Sequence, residues 1–348
     1  MSSTYKSVVL AQRPKEDIVI GETFKFVTKP RPVETDLKDG ELLVESLYLS
    51  LDPAMRSWLN DVRSYVPPVG INETMRGAVV ARVLASKSPS LRKDDIVTCQ
   101  PGWTELAIVH EKEAQKCEVP SNGRATDALG VLGLTGLTAY FGLLDIGKPK
   151  PGDLVVVSGA AGATGSVVCQ IAKLKGCRVI GIAGSDDKCT WLKDLGCEDA
   201  LNYKDPEFAN KFRTATESYI DVFFDNVGGE ILDMALGRAK PHARYVMCGG
   251  ISQYNAAAAD VKGPRNILRV ISMRIKLEGF IVFDYAKEFA EARKELAQWL
   301  AEGKIQRKEH IIKGGLDAAP QGLKDLYKGI NTGKLLVELK ADSTFARL

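Results

Sequence analysis

The residues best able to do chemistry form a short glycine-rich run, Gly159-Ala160-Ala161-Gly162-Ala163-Thr164-Gly165. The apolar stretch Leu154–Ser158 before it reads as a strand. Thr164–Lys175 after it has helical period, with Val167, Val168, Ile171 and Leu174 on one side. A strand that turns through glycines into a helix is the setting in which a dinucleotide is bound. Gly162 would let the backbone approach a pyrophosphate, and Gly165 would let the helix pack closely on the strand. The helix N-terminus, from Ala163 and Thr164 onward, offers unpaired N–H groups and a positive dipole end. Ala160 stands where the usual pattern has its first glycine, so setting rather than spelling carries the expectation.

The next strand, Arg178–Ala183, ends without the acidic residue that binds the ribose 2′-hydroxyl of NAD. Ser185 and Lys188 follow where a 2′-phosphate would lie. Asp186 and Asp187 read as first-turn acids of a helix capped by Ser185. Together these residues point to NADPH/NADP+. A catalytic zinc needs converging Cys, His and acidic ligands, whereas His110, His242 and His310 are scattered and the seven cysteines form no close cluster. The expectation is therefore no metal. Hydride transfer without a Lewis acid relies on hydrogen-bond donors. That favours an activated C=C bond, with charge spreading onto a carbonyl and a tyrosine or ribose hydroxyl holding or protonating the enolate.

The elements that must position this chemistry fall into two textures. The first ~120 residues carry short alternating runs (Glu41–Leu51, Met75–Leu84, Asp95–Cys99, Thr104–His110) with turns at Pro67-Pro68, Gly70 and Pro101-Gly102, the pattern of an antiparallel β domain. From about Gly130, apolar strands alternate with helical segments, which predicts an α/β domain with a parallel sheet. Its expected helices are Asp186–Leu195, Glu207–Thr216 and Gly229–Ala239; its later strands are Ala200–Asn202, Asp221–Asp225, Arg244–Cys248 and Lys276–Phe280, six in all with the two already named. A long helix over Tyr285–Glu302 follows, then strands His310–Lys313 and Lys334–Leu339 around a helix at Ala319–Lys328. This return of strands suggests a tail that folds back onto the first domain. The chain has 348 residues and a net charge of +3, with both signs spread along its length. That balance gives no electrostatic footprint for a nucleic-acid or acidic-membrane partner, and the expected partner is a small-molecule substrate. No signal-peptide core or spanning segment is read, and unpaired cysteines indicate a reducing, cytoplasmic setting. The ending Ala346-Arg347-Leu348 loosely resembles a peroxisomal address.

Several stretches together resemble the medium-chain dehydrogenase/reductase superfamily, and within it the zinc-free NADPH-dependent alkenal/one double-bond reductases of the leukotriene B4 dehydrogenase/prostaglandin reductase group. They are Leu47–Arg56, Met75–Gly77, Leu132–Leu143, the glycine turn, Asp225–Gly229, Cys248–Asn255 and Asn331–Leu335. The resemblance covers nearly the whole chain. It implies a GroES-like β-rich substrate domain over 1–128 and 312–348, a Rossmann doubly wound six-stranded domain over 129–311, and a homodimer. It also implies roles. Lys188 and Tyr203 would bind the 2′-phosphate with Ser185 nearby. Asn226 would sit by the nicotinamide ribose, and Thr138, Cys248, Phe280, Val282 and Asn331 would line the cofactor. Tyr254 would touch the cofactor and serve as the catalytic tyrosine, with Ala54 and Phe283 completing a substrate pocket.

Two positions depart from the family pattern. Ala54 replaces a pocket tyrosine, which removes a ring and a hydroxyl, and Thr135 replaces a frequent proline. The expected activity is NADPH-dependent reduction of α,β-unsaturated aldehydes or ketones. A zinc-free quinone reductase, or a cofactor-binding protein with little turnover, are the alternatives.

Overall fold

A computed structural model describes residues 3–257 and 259–341 of the chain. It divides into two compact units: one holds the residues up to Leu129, Glu309–Ile330 and those from Leu335 on, and the other holds Gly130–Lys308 and Asn331–Lys334.

The first unit begins with an antiparallel pair, β1 (Thr4–Leu10) and β2 (Phe24–Pro30), in register from Thr4 opposite Pro30 to Leu10 opposite Phe24. Neither strand was anticipated; β2 keeps most of its residues at the surface, Phe26 among them, and so lacks a clear buried face. Then come β3 (Glu41–Ser50), β4 (Val79–Ser86), β5 (Ile96–Cys99), β6 (Leu106–His110) and β7 (Gln115–Lys116). β4 starts four residues after the predicted Met75. Between β3 and β4 a 3₁₀ helix, Pro53–Leu59, opens on a proline whose fixed φ suits a first helical position. It carries half-buried Ala54, and Arg56, which is 1% exposed. The Arg56 guanidinium donates to the carbonyls of Glu16 and Pro14 and to Asn60 Oδ1, so this buried charge is fully engaged.

The second unit opens with α1 (Leu134–Phe141), an unpredicted helix containing Gly136 and two threonines. A wider turn, Gly142–Gly147, follows it. Strands β8 (Leu154–Val157), β9 (Arg178–Ala183), β10 (Asp199–Asn202), β11 (Ile220–Asp225), β12 (Ala239–Met247) and β13 (Lys276–Gly279) alternate with α2 (Ala163–Leu174), α3 (Asp186–Asp194), α4 (Phe208–Ala215), α5 (Gly229–Leu236) and the short α6 (Arg269–Ser272). Among the described residues they form a six-stranded parallel sheet in the order β10-β9-β8-β11-β12-β13. β8 is entirely buried and β9 nearly so, as strands covered by helices on both faces must be. The order reverses between β8 and β11, the switch point where open α/β sheets bind ligands beyond their strand ends. Most boundaries fall within a residue of expectation, and two differ by more. α5 stops at Leu236, and Ala239, predicted helical, opens β12. The long helix is α7 (Phe289–Ala301), preceded by a 3₁₀ segment, Val282–Glu288.

The chain then supplies β14 (Glu309–Ile312), α8 (Ala319–Tyr327) and β15 (Lys334–Glu338). β15 pairs antiparallel with β3, and the sheet of the first unit reads β14-β15-β3-β4-β5-β7, with β6 also on β3.

Candidate active site

The turns after β8, β9, β11 and β12 lie at the C-terminal ends of the parallel strands. After β8 the chain turns at Gly159 (φ 58°), and Gly162 begins α2 without any side-chain cap. The first-turn N–H groups of α2 therefore face outward, and Gly162, Ala163 and Thr164 are half-buried. Gly165 is dictated by space: a Cβ there would lie 2.4 Å from the Gly159 carbonyl oxygen and 2.7 Å from the Ala160 Cα. Ala160, the departure from the usual spelling, is fully buried and donates its N–H to Ile182 O at 2.9 Å. Its methyl is accommodated because the neighbouring strand has glycine: a Cβ on Gly181 would lie 3.1 Å from the Ala160 Cβ and 2.9 Å from Leu192 Cδ1.

Beyond β9, Ser185 caps α3 and accepts the Lys188 N–H at 3.4 Å. Asp186 accepts from the Asn202 amide at 2.9 Å and, like Asp187, is exposed in the first turn, as its helix-start reading requires. Tyr203 packs on Gly184, whose Cβ would meet the ring at 2.9 Å and the hydroxyl at 3.1 Å. The Lys204 ammonium lies 5.8 Å from the centre of that ring. Burial, and then the charge of Lys204, hold the Lys188 ammonium below the ordinary lysine value. Ser185, Lys188 and Tyr203 are thus brought together, and Lys204 joins them. The sequence reading missed Lys204, for which adjacency to Tyr203 was the available signal.

On the other side of the switch point, the fully buried Asp225 organises the turn. It accepts from Ser158 Oγ at 2.6 Å, from Val227 N at 3.0 Å and from Gly228 N at 3.0 and 3.1 Å. Burial raises its pKa, and these hydrogen bonds oppose the rise. The Asx turn that Asn226 could have made before Gly228-Gly229 is made by Asp225 instead. Asn226 donates its amide to Ser158 O at 2.8 Å and its N–H to Ser158 Oγ at 2.9 Å, tying the two turns together. Asp225 was not singled out from sequence, because its main partner is 67 residues away.

After β12, Cys248 and Gly249 donate their N–H groups to Asp225 O. The half-buried Tyr254 folds back so that its hydroxyl accepts the Gly250 N–H at 3.1 Å, beside Gly249 and the Asn226 carbonyl. Burial, assisted by the charge of Asp225, pushes the Cys248 thiol up to about 12, so it stays neutral near pH 7. Asn331 is 9% exposed and donates to Gly333 O at 2.8 Å, while Gly333 (φ 71°) donates to Ala161 O at 2.8 Å and pairs with Gly162. That segment is therefore held on the glycine turn. Thr138 spends its proton on Leu134 O at 2.7 Å within α1, and Phe280 packs against Gly142, 2.5 Å from where its Cβ would stand. Val282 is half-buried and Phe283 is 40% exposed. Ala54 belongs to the other unit. Among the described residues, no group of three or more His, Cys, Asp or Glu side chains is gathered so as to hold a metal ion.

This cradle fits a phosphorylated dinucleotide: an uncapped helix start reached through glycines whose space is taken by backbone, with two lysines and a tyrosine beyond the next strand. Residues 6–117 match the model described as the N-terminal domain of oxidoreductase, and residues 163–301 match that of zinc-binding dehydrogenase. A putative NADP-dependent oxidoreductase of Bacillus subtilis, YfmJ, is 44% identical over 99% of this chain and 100% of its own. The chain belongs to the medium-chain dehydrogenase/reductase family. Bovine prostaglandin reductase 1 is 42% identical over 87% of this chain and 90% of its own. The NADPH-dependent curcumin reductase of Escherichia coli is 40% identical, over 87% and 89%. CurA from Vibrio vulnificus, solved with NADPH, superposes with a TM-score of 0.89 at 40% identity, over 97% of this chain and 100% of its own. The expectations of a two-domain medium-chain fold, an oxidoreductase and NADP(H) as cofactor are borne out for this medium-chain reductase.

Proposed function

We propose that this medium-chain reductase uses NADPH to reduce the C=C bond of α,β-unsaturated aldehydes and ketones. The observation that carries the reading is the Tyr254 hydroxyl, which accepts the Gly250 N–H at 3.1 Å beside the Asn226 turn. NADPH supplies the hydride, directed to the β-carbon. Gly162, Ala163, Thr164 and Gly165 hold the pyrophosphate, Ser185, Lys188, Tyr203 and Lys204 the 2′-phosphate, and Asn226 the ribose. Thr138, Cys248, Phe280, Val282 and Asn331 complete the cofactor site. Tyr254 then donates to the developing enolate oxygen, a role for a positioned hydroxyl where no metal polarises the carbonyl. In this reading no metal takes part, because no three His, Cys, Asp or Glu side chains gather among the described residues so as to hold one. The neutral thiol of Cys248 is no competing nucleophile.

Ala54 and Phe283 belong to the substrate site in the same reading, and the β-rich unit is the substrate domain. A homodimer is part of it too. The sheet ends in β13, an edge strand with Leu277 40% exposed, and nearby Leu268 and Ile271 are 71% and 74% exposed. Such an edge with apolar neighbours calls for cover. The cytosol is the proposed compartment, and Ala346-Arg347-Leu348, the peroxisomal-like ending, lies outside the described residues. No described helix is long and apolar enough to cross a membrane. The test is a screen that follows NADPH absorbance over enals, enones and quinones, with and without a chelator. Activity confined to quinones, or tight NADPH binding with no turnover, overturns the proposal.

A further inference from the structure

Gln170 lies mid-way along α2 between Cys169 and Ile171, 3% exposed, among residues that an all-apolar helix face would fill. A buried amide persists where its hydrogen bonds are made. Here Nε2 donates to Ser166 O at 3.0 Å and to Gln306 O at 2.9 Å, while Oε1 accepts the Gln306 N–H at 2.7 Å. The side chain therefore grips both backbone groups of one residue, as a neighbouring strand would. Two residues on, the Lys308 carbonyl accepts the Lys334 N–H at 2.9 Å and stands 2.0 Å from where a Gly333 Cβ would be. Gly333 reaches back to Ala161 and Gly162, and Asn331 closes on Gly333. The path returns to the helix from which it started. α2 thus fixes segment 306–308 at its middle and Gly333 at its start, and Asn331 is set by both.

We propose that Gln170 is a positioning residue for the cofactor. Without touching it, Gln170 holds residues 306–308, and through them Asn331 and Gly333, in register with the phosphate turn. The inference rests on the reading of Gly159–Gly165 as the NADP(H) site.

The experiment uses the full chain and calorimetric titration with NADPH and with 2′,5′-ADP, which keeps the adenosine, its 2′-phosphate and one phosphate of the pyrophosphate but lacks the nicotinamide half that Asn331 would line. Gln170→Leu is expected to weaken NADPH by about 10-fold, the scale on which small misplacements act, and to leave 2′,5′-ADP nearly unchanged. Asn331→Ala should do the same, and the double variant should be no weaker than Asn331→Ala alone, because both changes remove one arrangement. If Gln170→Leu does not fold, Gln170→Met, unbranched and of similar length, carries the same titrations. A lower melting temperature with an unchanged NADPH to 2′,5′-ADP affinity ratio overturns the proposal, as does strict additivity with Asn331→Ala. A wild-type chain that binds neither ligand would instead overturn the cofactor reading itself.

Discussion

Gly165→Ala adds one methyl at the tightest point of the cofactor cradle. Its Cβ would stand 2.4 Å from the Gly159 carbonyl oxygen, about 1 Å inside the 3.4 Å at which ordinary contact begins. Both neighbours are backbone, so neither can swing aside as a side chain would. Either α2 backs away from β8 or the turn opens, and both movements withdraw the first-turn N–H groups from the phosphates. Overpacking of this kind costs about 1–3 kcal/mol. Replacing glycine by alanine within a helix returns about 1 kcal/mol. The net cost in stability is about 0–2 kcal/mol, so the melting temperature should fall by no more than a few degrees. Binding has no such compensation, and a loss of about 1.4 kcal/mol is a tenfold rise in Kd. The expected outcome is a Kd for NADPH raised about 10-fold or more, measured by quenching of protein fluorescence. An NADPH affinity within twofold of wild type, roughly 0.4 kcal/mol, would refute the claim that backbone crowding at Gly165 sets the position of the phosphate-binding amides.

Lys188→Ala should raise the Kd for NADPH far more than that for NADH, and an equal effect on both would remove Lys188 from the 2′-phosphate site. Because burial and Lys204 lower the Lys188 pKa, the free protein loses this proton below the ordinary lysine range. The preference for NADPH over NADH should therefore decline as pH rises through that lowered value and be full below it, which paired titrations across the alkaline range can follow. Tyr254→Phe should lower kcat for enone reduction more than it weakens NADPH binding, and unchanged turnover would take Tyr254 out of the chemistry. Ala54→Tyr should change the ranking of enones by kcat/KM while leaving the Kd for NADPH unaltered. If cofactor affinity falls with it, Ala54 is not confined to the substrate side.

The parallel sheet was legible because β8, β9 and β11 are short apolar runs bounded by glycine or acidic residues, the mark of strands covered on both faces. What escaped depended on partners distant in sequence. β2 is a strand because β1 pairs with it, and α1 is a helix despite Gly136 because tertiary packing outweighs propensity. The overlong reading of α5 followed its apolar period past Gly237, where the chain turns to enter β12. In the site, glycines and lysines could be read from spacing. The work of Asp225 and Gln170 could not, since the groups they bond, Ser158 and Gln306, come from 67 and 136 residues away.

Ala160, in the turn after β8, and Gly181, on β9, share limited room: a Gly181 Cβ would lie 3.1 Å from the Ala160 Cβ. What the fold needs at this point is an amount of empty volume, and here the glycine that supplies it sits on β9 and not in the turn. Ala160→Gly should therefore relieve part of the crowding made by Gly181→Ala, and the rest falls on the Leu192 side chain, 2.9 Å from where that Cβ would stand. A scan for the usual glycine spelling sees one defective turn here. A scan for paired small residues across this turn and β9 would see an intact one, written across two segments.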